Sequence, residues 1–97
     1  MAYDPGAIDA ALAAAVGDEP ALIAELRLAF TESASRALAQ MEAAPDDAGW
    51  RTGATRLRGL AASFGAVRLM ALAATAAEGH ARDAAMMGRL RRAVARL

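Results

Sequence analysis

Apolar residues return every three or four positions along almost the whole chain, the spacing that keeps one face of an α-helix dry. Ile8, Leu12 and Val16 form the first series, with Asp4 as its cap, Pro5 in the first helical position and Gly17 at its end. Asp18 caps the next, in which Ile23, Leu26, Phe30, Ala34, Ala37 and Met41 step along the longest predicted helix, about 39 Å at 1.5 Å per residue, until Pro45 stops it. Asp46 or Asp47 caps a third helix, predicted over about 47–64, which closes at Gly65 where a left-handed terminator belongs. Leu69, Leu72, Ala73 and Ala76 mark a fourth helix, and Met87, Leu90, Val94 and Leu97 a fifth that begins after Asp83. Connections of two to five residues imply antiparallel neighbours. The expected fold is all-α: an antiparallel up-down-up-down four-helix bundle with a short extra N-terminal helix, forming a single domain over 1–97.

The third helix departs from the usual division of faces. At about 100° per residue, Trp50, Gly53, Ala54, Leu57, Leu60, Ala61 and Phe64 fall within about 60° of Leu57 and form one apolar stripe. The opposite side holds Ala48, Thr52, Thr55, Gly59 and Ala62, all small where polar bulk is normal. A solvent-facing glycine inside a helix costs about 1 kcal/mol relative to alanine and fills no packing gap. One reading of Gly59 is that something large must approach the backbone one turn beyond Thr55; the other is neutral drift in an alanine-rich helix.

Composition sharpens the class. Of 97 residues, thirty are alanine and only nine are Val, Ile or Thr, a balance that favours helices over strands. A chain of this size buries somewhat over about 60% of the surface it exposes when unfolded, enough for one core. The absence of cysteine excludes disulfides, thiolate chemistry and cysteine metal sites. Met-Ala-Tyr-Asp-Pro is neither basic nor followed by an apolar leader core, and no uncharged run reaches the ~18 residues needed to cross a bilayer, so a cytoplasmic chain without membrane contact is expected. Formal net charge is zero, yet residues 1–50 sum to −7 and residues 51–97 to +7, fields that attract when early helices pair with late ones.

The run Ala54-Thr55-Arg56-Leu57-Arg58-Gly59-Leu60-Ala61-Ala62-Ser63-Phe64-Gly65 resembles the phosphorylation-site helix of histidine-containing phosphotransfer (HPt) domains, whose pattern is Ala-His-x-Leu-Lys-Gly-x-Ala-x-x-(Phe/Leu)-Gly. Ala54, Leu57, Arg58, Gly59, Ala61, Phe64 and Gly65 match it, with arginine for lysine, and the flanking helices extend the likeness over nearly the whole chain. Thr55 stands where the family carries its phosphoryl-accepting histidine. The resemblance implies the bundle fold and a receiver-docking face while removing the ordinary chemistry. It also assigns Arg58 the family position whose cation holds the phosphoryl group and meets the acidic receiver pocket.

Neutral imidazole attacks an aspartyl phosphate near pH 7 without prior deprotonation, whereas a threonine hydroxyl needs a general base. The neighbours of Thr55 on its helix are Arg51, Thr52, Arg58 and Gly59, none of them a base, so the hydroxyl reads as filling the histidine's place. His80, the one histidine, lies at the end of the fourth helix, where it faces the negative end of the dipole and stands near the start of the motif helix, more than one turn from Thr55. Arg51, Arg56 and Arg58 rim the small face either as an ordinary solvated fringe or, with the smooth patch between them, as the edge of a docking surface for an anionic partner, the reading preferred here. Arg89, Arg92 and Arg96 line one side of the last helix with Arg91 on the flank; zero net charge and few aromatics favour a solvated face over a nucleic-acid stripe. Met86 and Met87 read as core filling.

The leading expectation is therefore a pseudo-phosphotransfer domain that binds a response-regulator receiver or a histidine kinase through Arg51, Thr52, Thr55, Arg56, Arg58, Gly59 and Ala62. It is expected to be no enzyme, to need no cofactor or metal, to bind neither nucleic acid nor membrane, and to be a monomer. The alternatives are an active phosphotransfer protein using His80 or Thr55, and a structural helical module that self-associates through alanine-rich faces.

Overall fold

A computed structural model describes residues 10, 12–14, 17 and 19–97. The Asp4 cap, Pro5, Ile8, Val16 and the Asp18 cap lie outside the described residues. Ala10 and residues 12–14 are helical, Leu12 is buried in the core, and Gly17 turns the chain at φ +81.

Four further helices follow: α1 (Pro20–Ala43), α2 (Asp47–Ser63), α3 (Val67–Ala77) and α4 (Ala84–Ala95). In α1, proline occupies the first helical position, and the extended Glu19 stands at the cap without a side-chain hydrogen bond. The 24-residue helix is about 36 Å long. Its exit at Ala44 is extended, ψ 129, as the residue before Pro45 must be. Asp46 caps α2 by accepting the Gly49 amide at 2.8 Å, which resolves the choice between the two aspartates. The end of α2 is a Schellman turn: Gly65 at φ +70 lets the Ala66 amide reach the Ala61 carbonyl at 2.9 Å and its own amide reach Ala62 at 3.3 Å. Asp83 caps α4 through the Met86 amide at 3.0 Å, and Leu97 lies past the helix, half-buried.

The described residues are helix and connecting turns without strand, packed as a helical bundle. α2 lies between α1 and α3, and α4 leans on α3 and α1. Phe30, Met41, Trp50, Leu57, Leu69 and Leu90 fill the centre, and no described polar or charged residue is buried. Leu60 and Phe64, counted on the apolar stripe, are half-buried at its margin; the Phe64 ring stacks on Phe30 with centroids 4.5 Å apart. Gly53 sets the approach of α1 to α2, since a Cβ there would lie 2.5 Å from Met41 Cγ and 3.3 Å from the Ala37 carbonyl oxygen. No described helix is long and apolar enough to cross a membrane.

Candidate functional site

Burial of Trp50, Gly53, Ala54, Leu57 and Ala61 fixes the rotation of α2, and rotation decides what its other side presents. Arg51, Thr52, Thr55, Arg56, Arg58, Gly59 and Ala62 are all exposed. A Cβ on Gly59 would meet nothing within 4 Å, so the glycine faces open space one turn beyond Thr55.

Hydroxyl bonding singles out Thr55. Thr31, Thr52 and Thr75 each donate to the carbonyl four residues back, at 2.9, 2.9 and 3.2 Å, the local arrangement that satisfies a helical threonine. Thr55 makes no such bond among the described residues and keeps its hydroxyl for solvent or a visitor. Ser63 Oγ donates to the Gly59 carbonyl at 3.0 Å, covering one backbone acceptor at the far end of the face. Arg56 and Arg58 carry no ion pair among the described residues, so both guanidiniums remain available around the small patch. The neighbours one turn from Thr55 on α2 are Arg51, Thr52, Arg58 and Gly59, none of them a base, and no described group of three acidic, histidine or cysteine residues is placed to hold a metal.

His80 lies beyond the end of α3, with Nδ1 2.9 Å from Asp47 Oδ2, so an Nδ1–H donates to that carboxylate. The other Asp47 oxygen accepts the Ala81 amide at 2.8 Å. The bond from His80 and then that from Ala81 hold the Asp47 carboxyl below the ordinary carboxylate range. Asp47 precedes Thr55 by eight residues, about 12 Å along the axis, so His80 and Thr55 do not form one site. This clamp escaped sequence reasoning, which placed His80 near the start of the motif helix but gave it no partner. The doubled Asp46-Asp47 was the available signal, because one cap needs only one carboxylate.

A groove of about 780 Å³ lies elsewhere, between α3 and α4, and gathers Arg68, Arg89, Arg92 and Arg96 around Val67 and Leu72. Helical spacing had already aligned the last three arginines; Arg68 joins them only through tertiary packing. No protein-family model matches the chain, and no curated protein or solved structure is significantly similar to it.

Proposed function

We propose that this chain is an HPt-like domain lacking the phosphoryl-accepting histidine, which binds a response-regulator receiver or a histidine kinase without carrying phosphate. The observation that carries the reading is the open space at Gly59: the glycine packs against none of the described residues, which supports approach from outside over a packing role. The unengaged Thr55 hydroxyl beside it is a hydrogen-bond group held for such a visitor, and Arg51, Arg56 and Arg58 supply charge for an acidic partner surface. In this reading the helices alternate up-down-up-down with the short N-terminal helix added. The bond from Trp50 Nε1 to the Ala76 carbonyl at 2.8 Å and the Asp47–His80 clamp support it, since both tie the start of α2 to the end of α3.

The test is titration of the chain with receiver domains from its host, with and without an aspartyl-phosphate mimic. Binding that Gly59→Arg weakens by more than about tenfold, or 1.4 kcal/mol, is expected; binding indifferent to that substitution means the surface is wrong. Thr55→His is expected to restore some phosphate acceptance, because the cation and the small neighbour are in place.

One observation favours a second reading, active phosphotransfer through His80. Its ring is exposed, and the bond from Nδ1 to Asp47 leaves Nε2 toward solvent, the arrangement of an oriented nucleophile. Phosphoryl label that stays on the chain and vanishes in His80→Ala would replace the first reading with this one.

A further inference from the structure

The groove between α3 and α4 combines two chemistries that rarely stay uncovered together. Val67, 53% exposed, and Leu72 give it an apolar floor, while Arg68, Arg89, Arg92 and Arg96 stand around them without an ion pair among the described residues. An occupant must therefore bring apolar surface and carboxylates on one face. Nothing aromatic lines the groove, so it offers no platform on which nucleic-acid bases could stack.

The chain itself carries a surface of that description. Only three large hydrophobic residues are exposed among those described: Val67 in the groove, and Leu22 and Leu28 on α1. Leu28 is 60% exposed, and at about 100° per residue it shares the outer face of α1 with Glu25 and Glu32, which have no ion pair among the described residues. The two surfaces match in both respects, leucine against an apolar floor and carboxylates against guanidiniums, which form charge-assisted, often bidentate pairs.

We infer that the occupant of the groove is a second copy of this chain, which inserts the Glu25, Leu28 and Glu32 face of its α1 between α3 and α4. Within one molecule α1 packs on α2 and α4 and makes no close backbone approach to α3, so its outer face does not reach its own groove. The contact is thus head-to-tail between copies, leaving a free face at one end and a free groove at the other. One helix face in one groove belongs with interfaces below about 1,200 Å², the transient class, so the chain is monomeric when dilute and associates as concentration rises. The groove lies apart from the Thr55 face of α2, so this association and receiver binding stand or fall separately.

Sedimentation velocity of the full chain from micromolar to millimolar concentration tests the inference. The weight-average mass is expected to rise with concentration and to fall back as salt screens the pairs. Glu25→Arg with Glu32→Arg, and separately Arg89→Glu with Arg92→Glu, should each weaken self-association at least tenfold, since each puts like charge on both surfaces. Mixing the two variants restores opposite charges and should restore association. All four positions are exposed, and circular dichroism checks that both variants fold; Leu28→Ser, which leaves the charges alone, should weaken association as well. A constant monomer mass at millimolar concentration, association indifferent to either reversal, or folded variants that fail to associate when mixed would each overturn the inference.

Discussion

Gly53 and Gly59 lie six residues apart on α2 and meet opposite surroundings, one against Met41 and the other facing nothing. The same substitution should therefore have opposite signs. Gly59→Ala gains helix propensity without a clash and is expected to stabilise the fold by about 0.5–1 kcal/mol in urea denaturation. Gly53→Val drives branched carbons into Met41 and the Ala37 carbonyl and is expected to cost about 2–3 kcal/mol. Asp47 carries the residue-scale prediction for pH. Its folded carboxyl titrates below the usual value of 3.8, mainly because His80 donates to it, so the unfolded chain takes up that proton first on acidification. The stability it contributes is present above the unfolded value and is lost as pH falls through the lower folded one. Thermal melts on the acid side should fall less steeply in Asp47→Asn than in the parent.

The ends of the helices show how far local chemistry was legible before packing was known. Gly65 was legible as a terminator, the cap of α2 was narrowed to Asp46 or Asp47, and α4 was placed after Asp83, because a cap is a bond between neighbours; the structure puts Asp46 and Asp83 at the caps and Gly65 at positive φ. Asp46→Ala and Asp83→Ala are each expected to lower stability by about 1 kcal/mol. At the start of α1, Pro20 is itself a strong first residue, and Glu19 stands at the cap position without a side-chain bond. Contacts between elements were beyond the reach of periodicity, which says which face is dry and not what it meets. Hence the rotation of α2 and its exposed small face were legible, whereas the Asp47 clamp on His80 and Ala81 and the arrival of Arg68 beside the arginines of α4 were not.

At the scale of the molecule, α1 packs against α2 and α4, which carry six of the chain's eleven arginines, and Arg91 of α4 pairs with Glu42 of α1 at 2.6 Å. Attraction of this kind is screened. Raising salt from about 10 mM to about 1 M shortens the Debye length from about 30 to about 3 Å and should lower the melting temperature of the isolated domain. The single tryptophan adds a practical consequence. Trp50 is buried, and its indole is tethered to a carbonyl on the next helix, on the side of α2 turned away from Thr55. Its fluorescence is therefore an internal gauge of whether these two helices remain docked. The emission should shift to longer wavelength when the domain melts and stay put when a visitor settles on the outer face, so one optical signal separates loss of structure from occupancy.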